Sequence, residues 1–382
     1  MLKICFIFSL LILWLSLSGC SIQADQNLQA TPFPTTSPTL TNTNVEKPTE
    51  QTRIGNPALP AFQIPVTWEN LKLTGKLIYT SAGQDGNTPF LRIQSLDLVT
   101  GEGTTIFEAP STAWIYFVAV SPDEKELVMA YTPPITSDGS SNQALYVMPL
   151  DGSKLPQLLF LPPTAQDEYF QPEWSPDGKY LYFSHQMPPK TKNEHYPIDE
   201  IYRMAYPDGP AEKIADESFW PRLSADASRL LYVSIDPVTG TNKLFLADAD
   251  GKNAQQVVLS GNVIPDYIDA PIFSPDNQSI LFSAVDPVQA SAPTWYERLL
   301  GMTVASAHVV PSDWFSVPLA GGAPTALTEL KTIGLFASIS PDKQYIASYS
   351  GNGIFVMRPD GTGSMVLISD LGGVPGTVSW IP

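Results

Sequence analysis

Phe170-Gln-Pro-Glu-Trp-Ser-Pro-Asp-Gly-Lys-Tyr-Leu-Tyr-Phe-Ser184 reads as a short strand, a tight turn and a second strand. Tyr180, Tyr182 and Ser184 fall on one face of the second strand, Leu181 and Phe183 on the other, the period of two that a half-buried strand requires. Pro176 pre-sets φ for the first corner of the turn, Asp177 can bond nearby backbone, and Gly178 accepts the positive φ that closes the hairpin. The same pattern recurs at Phe117–Tyr131, Pro221–Ser234, Pro271–Ser283 and Phe336–Ser348, around Ser121-Pro122-Asp123, Ser224-Ala225-Asp226, Ser274-Pro275-Asp276 and Ser340-Pro341-Asp342. The serine-to-serine steps are 54, 49, 50 and 66 residues. After each hairpin comes another strand–turn–strand, turning at Asp151-Gly152, Asp208-Gly209, Asp250-Gly251, Gly321-Gly322 and Asp360-Gly361.

A period near fifty with four strands per unit is the signature of a β-propeller. Residues 75–107 supply three more strands without an inner one, and Gly376-Thr377-Val378-Ser379-Trp380 echoes Pro172-Glu173-Trp174. The C-terminal strand is therefore expected to complete the first blade and remove the open edge. That predicts an all-β fold, a six-bladed propeller of four-stranded antiparallel blades. Seven blades would need another Ser-Pro-Asp hairpin after Ser283, and none is legible there.

The 382 residues are 43% hydrophobic and 15% charged, with 25 Gly and 37 Pro, the balance of a turn-rich globular protein. The net charge of −17 opposes nucleic acid and anionic membrane surfaces as partners. At the N-terminus, Met1-Leu2-Lys3 is a short positive region and Ile4–Leu17 an apolar stretch too short for a comfortable span. Leu17-Ser18-Gly19-Cys20 resembles a bacterial lipobox. The resemblance implies a signal peptide over 1–19 and a diacylated Cys20 as the mature N-terminus, so that the partner at this end is a membrane, reached through lipid. Of the two Cys, Cys5 leaves with the signal and Cys20 takes the lipid, so no disulfide is available and the domain depends on core burial. Ser21 is compatible with outer-membrane sorting. Residues 20–65, rich in Thr, Pro and Ser, read as a disordered tether carrying too little apolar surface to offset the entropy of ordering. The propeller is expected over 66–382.

The Trp-Ser-Pro-Asp-Gly-Lys-x-Leu-x-Phe-x-Ser hairpin and the outer Asp-Gly turns resemble the repeats of the TolB-like β-propeller family, over essentially all of 75–382. The sequence departs from that pattern where Ala225 replaces Pro and where Glu124, Ala227, Asn277 and Lys343 replace Gly. Residues 21–65 stand where TolB itself carries an α/β domain, so TolB proper is not expected. No α/β-hydrolase domain of the prolyl-oligopeptidase kind is expected either. The resemblance implies an interaction platform.

No catalytic residues stand out. Gly-x-Ser-x-Gly is absent, the three His (His185, His195 and His308) show no metal-ligand spacing, and no spacing singles out a carboxylate pair. The repeated Asp are read as turn residues spread around a rim. No metal and no cofactor is expected. The long connections (Thr132–Asn142, His185–Asp199, Ala284–Asp313) all join second to third strands, so they rise on one face, whereas the hairpin face is plain. Insertions on one face of a repeat ring mark the binding side. The expected binding face comprises His185, His195, Asp199, Trp220, Tyr267, Asp269, Trp295, Tyr296, His308 and Trp314. Trp295 lies in a short helical segment that either plugs onto the propeller or walls a pocket. The expected function is a membrane-anchored extracytoplasmic lipoprotein, a monomer, binding a protein, peptide or glycan of the cell envelope. A hydrolase or lyase acting on polysaccharide or peptide, and a structural assembly role, stand as alternatives.

Overall fold

A computed structural model of the chain describes residues 61–382 apart from 87, 135–141, 262–263, 286–310, 351, 370 and 373–375. Cys20, the signal segment, most of the tether, Trp295, Tyr296 and His308 lie outside the described residues.

The first blade is built from β1 (Phe62–Gln63), β2 (Lys76–Asp85), β3 (Thr88–Asp97) and β4 (Glu102–Glu108). The second holds β5 (Trp114–Val120), β6 (Glu126–Thr132), β7 (Ala144–Pro149) and β8 (Gln157–Phe160), and the third β9 (Glu168–Trp174), β10 (Tyr180–Met187), β11 (Ile198–Ala205) and β12 (Ala211–Ala215). The fourth holds β13 (Ser218–Leu223), β14 (Arg229–Ile235), β15 (Asn242–Asp248) and β16 (Gln255–Gln256). The fifth follows with β17 (Asp266–Phe273), β18 (Ser279–Val285), β19 (Asp313–Pro318) and β20 (Thr325–Ala326), and the sixth with β21 (Phe336–Ile339), β22 (Ile346–Ser350), β23 (Gly353–Met357) and β24 (Met365–Ser369). The last strand, β25 (Val378–Ile381), joins the first sheet, whose order is β1-β4-β3-β2-β25. The six antiparallel sheets form a six-bladed propeller, closed by the register Lys76↔Ile381 to Tyr79↔Val378. A fifth strand that the repeat pattern does not announce, β1, covers the outer edge of this blade by pairing Phe62 with Gly103.

The recurring hairpin turn explains its own sequence. In the third blade Ser175 Oγ donates to Asp177 Oδ1 (2.7 Å) and accepts from the Tyr180 N–H (2.9 Å), while the Lys179 N–H donates to Asp177 (3.1 Å). The serines of the other four hairpins make the same pair of bonds. Each of these serines is buried, and a buried hydroxyl needs such partners. The hydrogen bond from Lys125 or Lys179, with that from the serine, holds Asp123 and Asp177 down to about 2, and Ser224 does the same for Asp226. These carboxylates are turn residues, as the sequence reading has them.

The fourth turn position is left-handed in every copy: φ is +57° at Glu124, +70° at Gly178, +56° at Ala227, +56° at Asn277 and +62° at Lys343. Only the third blade places glycine there, and a non-glycine residue in this region costs on the order of 1 kcal/mol. Ala227→Gly is therefore expected to raise the unfolding free energy by about 0.5–1 kcal/mol, measured by denaturant titration with an unchanged slope.

Adjacent blades are fastened to one another by hydrogen bonds. Thr377 Oγ1 accepts from the Val118 N–H (2.9 Å), the Trp174 indole donates to the Ala119 carbonyl (3.2 Å), and Asn242 Nδ2 donates to the Ile268 carbonyl (2.9 Å). Trp314 Nε1 donates to Ser348 Oγ (2.8 Å) and the Trp380 N–H to Ser338 Oγ (2.9 Å).

Candidate functional site

The six inner strands, β25, β5, β9, β13, β17 and β21, run beside the axis and offer it two successive positions. The residue four before the turn serine is Phe117, Gln171, Trp220, Ala270 or Phe336 in blades two to six, and Thr377 stands at the matching place immediately before β25. Large aromatic residues thus alternate with small or polar ones around the ring. Phe117, Trp220 and Phe336 come from alternate blades and meet one another with ring centroids 5.2–5.7 Å apart. All three are buried. Their rings close the channel at its waist in the edge-on and tilted arrangements that aromatic quadrupoles favour.

The intervening positions serve backbone. Gln171 Oε1 accepts from Ser184 Oγ (2.6 Å) and from the Trp220 N–H of the next blade (3.0 Å). Gln171, Trp220 and Ala270 have φ of +50°, +57° and +42°, and each precedes a proline. The register between first and second strand shifts at each of these places. Pro172, Pro221 and Pro271 have no N–H for the ladder, and the bulges re-aim the side chains. Left-handed residues of this kind cost of order 1–3 kcal/mol each.

Above this floor, at the hairpin end, lies a cavity of about 530 Å³ lined by all six inner strands. Pro122, Ala225, Pro275 and Pro341 stand at its rim. Its wall carries the second axial position, two residues before the turn serine: Ala119, Glu173, Arg222, Ile272 and Ser338, with Ser379 from β25. Only Glu173 and Arg222 of these six are charged, and they sit on neighbouring blades. Arg222 Nη1 donates to Glu173 Oε2 at 2.7 Å, with side chains 21% and 20% exposed. The guanidinium carbon is 5.9 Å from the centroid of Trp220. Burial pushes the Glu173 carboxyl up, while Arg222 and the Leu223 N–H pull it down. The repeat pattern marks this hairpin end as plain; the structure puts a blind funnel there. The signal was present in the sequence as a Glu and an Arg at a strand position that other repeats fill with Ala, Ile or Ser.

At the loop-rich end the expected binding-face residues scatter. Trp220 is 1% exposed and belongs to the waist; Trp314 is 0% exposed and donates to Ser348. These two were expected at a mouth and are instead packing residues, because their inner- and third-strand positions face neighbouring blades. His185 is buried on β10 between the Tyr169 and Tyr202 rings, its Nε2 3.2 Å from Asp167 Oδ2. His195 is exposed, and its N–H and that of Tyr196 donate to the Pro237 carbonyl, seating the 188–197 loop on the fourth blade. Tyr267 is half-buried with φ of +52°, close enough to Tyr196 and Asp266 for their charges to add to the effect of burial in raising its hydroxyl.

Asp199 and Asp269 are both buried. Gln186 Nε2 donates to Asp199 Oδ1 at 3.0 Å, and Asp269 Oδ1 accepts from the Ala270 N–H at 2.9 Å. Burial, opposed by Gln186 and reinforced by the charge of Asp269, pushes the Asp199 carboxyl up to about 7. Among the described residues no three His, Cys, Asp or Glu come together as metal ligands.

The match to solved structures follows this geometry. TolB from Acinetobacter baumannii superposes with a TM-score of 0.55 at 18% identity, over 80% of this chain and 66% of that one. The fold is TolB-like. This chain therefore spans about two thirds of that TolB. A chain of the nidogen/laminin complex matches with a TM-score of 0.53 at 11% identity, over 80% of this chain and 97% of that one. Oligogalacturonate lyase in complex with manganese matches at 0.45 and 13%, over 78% and 86%. At these identities the likeness is one of fold. No protein-family model matches the chain, and no curated protein does.

Two outcomes follow from this geometry. Phe336→Ala opens the waist and leaves two rings without their third, an expected loss of about 3–5 kcal/mol in unfolding free energy, measured by denaturant titration. Asp199 has a folded pKa above its unfolded value, so the folded state holds the extra proton and stability falls as pH rises from about 4 to about 7. Asp199→Asn removes that dependence. Its stability relative to wild type is expected to grow by ~1.4 kcal/mol for each pH step of one through this window and to level off above it, read from paired unfolding curves.

Proposed function

We propose that this chain is an extracytoplasmic lipoprotein, held to a membrane by lipid on Cys20, whose propeller binds a segment of a partner protein or peptide in the axial funnel. The observation that carries this reading is the closed waist. Three packed rings turn the channel into a blind pocket with an aromatic floor and a single ion pair on its wall. A concave site with an apolar base and a few convergent polar groups is the form in which an anchoring side chain or chain end is taken up. Its volume of about 530 Å³ suits a few residues of a partner. No nucleophile with a paired base lines it. A propeller of similar fold occurs in the nidogen/laminin complex, a protein–protein assembly.

A photo-crosslinking residue at Lys343, on the funnel rim, tests the binding role in whole cells, with Val366 on the outer strand of the sixth blade as control. A defined envelope protein crosslinked from position 343 and not from 366 is the expected result. Equal labelling from both positions would sink the reading. Cys20→Ala is expected to move the chain out of the membrane fraction; retention there would remove the anchor from the proposal.

A second reading, a hydrolase or lyase on polysaccharide or peptide, is favoured by Asp199, whose carboxyl keeps its proton to near-neutral pH as a general acid must. Against it, Asp199 and Asp269 are 7% and 1% exposed. Turnover lost in Asp199→Asn with folding intact would replace the binding reading.

A further inference from the structure

The ion pair in the funnel wall is not accounted for by stability. Its ring position holds Ala119, Ile272, Ser338 and Ser379 in the other blades, and a partly buried ion pair rarely stabilises more than apolar residues of the same volume. Arg222 is also under-used. A guanidinium offers five N–H donors, yet among the described residues only Nη1 has an acceptor, and Nε is buried with none. Glu173, by contrast, accepts from Arg222, and the nearby Leu223 N–H also favours its charged form. The arrangement is short of an acceptor and not of a donor.

We infer that the funnel is a carboxylate-binding subsite, in which Arg222 presents the unpaired N–H groups at the Nη end of its guanidinium to the carboxylate of an incoming peptide and Glu173 is the internal group that holds it ready. This deepens the reading of the funnel as a peptide site and rests on it. With Nε buried and Nη1 already donating to Glu173, it is the remaining N–H groups of Nη2 and Nη1 that can make charge-assisted bonds to a carboxylate.

Among its side chains the funnel is balanced in charge, and Pro382, the last residue, also lines it. Its charged side chains are Glu124, Glu173, Arg222 and Lys343, two of each sign. The acidic turn residues around the rim are occupied by their own serines and backbone, and Asp123 and Asp177 also by Lys125 and Lys179. The remainder of the −17 charge is largely screened beyond ~8–10 Å at physiological ionic strength. A cationic ligand would have to displace Arg222 from Glu173 and would leave the guanidinium with no acceptor at all.

The test is calorimetric titration of the full chain in detergent with three peptides: N-acetyl-Gly-Gly-Phe with a free carboxylate, its C-terminal amide, and N-acetyl-Gly-Glu-Phe amide. The free acid is expected to bind roughly 10–100-fold more tightly than the Gly-Gly-Phe amide, the worth of a charge-assisted bond. If the Glu-containing amide binds like the free acid, the carboxylate comes from side chains; if it binds like the simple amide, it comes from chain ends. Both results support the subsite. Glu173→Gln keeps a side-chain oxygen that can accept from Arg222 and so hold it in place, while removing the competing negative charge, and is expected to tighten binding of the free acid. Arg222→Met alone would strand Glu173, so the neutral pair Glu173→Gln/Arg222→Met is used, with thermal unfolding as the check on folding, and it is expected to lose the preference for acid over amide. Equal binding of acid and amide by wild type overturns the carboxylate subsite but leaves a peptide funnel. Weaker binding of the free acid in Glu173→Gln also overturns it. Binding of none of the three peptides overturns the subsite and the funnel reading together.

Discussion

Antiparallel pairing of Val378–Ile381 with Lys76–Asp85 is the interaction on which the other features of the propeller depend. A ladder of four residue pairs makes a ring of what would otherwise be a curved row of sheets with an open edge at each end. Only in a closed ring do inner strands from opposite sides share an axis, and the axis imposes its own limit. Three large rings fill the waist, so six could not fit. Phe117, Trp220 and Phe336 therefore alternate with Thr377, Gln171 and Ala270, and the small positions are free to bind backbone of the next blade, as Gln171 and Thr377 do. Closure, waist and inter-blade fastening are one packing solution, and the blind funnel is what it leaves on the hairpin side.

Strain and charge gather at that same place. The left-handed residues Gln171, Trp220 and Ala270 lie at successive blades around the waist, each held by the proline that follows and by a bulge in the ladder. Such conformations persist where the surroundings over-determine them, and here they set the direction in which a side chain meets the axis. One level up, Glu173 and Arg222 place the funnel's one charged pair within the wall. The turn aspartates on the hairpin face are bound into their turns, which separates them from Glu173 in the cavity wall. At the loop-rich end the buried Asp199 and Asp269 lie beneath the surface, and the 188–197 loop is spent on seating itself against Pro237.

Much of the architecture was legible because a propeller repeats its local chemistry. Each Ser-Pro-Asp turn carries its own φ and hydrogen-bond requirements within a few residues, so five copies at a period near fifty identify blades, and the orphan strand at Val378–Ile381 identifies the closure. The part played by the turn serine, which bridges the carboxylate and the N–H five residues on, is equally local but needs the folded turn to be seen. The candidate site was not legible in the same way. Loop length points to the face with the insertions, whereas the funnel is built from strand positions that look like ordinary alternation. Trp220 and Trp314, aromatic residues near long loops, looked like binding residues; both are taken up by contacts between blades.

The amino-acid sequence by itself determined the blade unit, the number of blades and the strand that shuts the ring, because turn chemistry and period-two burial act over a few residues and are written in each repeat. The tertiary structure alone decided which residues meet on the axis. Phe117, Trp220 and Phe336 are separated by 103 and 116 positions in the chain, and Glu173 and Arg222 by 49. Within a single repeat nothing distinguishes them from their neighbours, and only alignment of the repeats singles out Glu173 and Arg222. They become a floor and an ion pair only when ring closure brings every inner strand to one line, where there is room for a few side chains and no more.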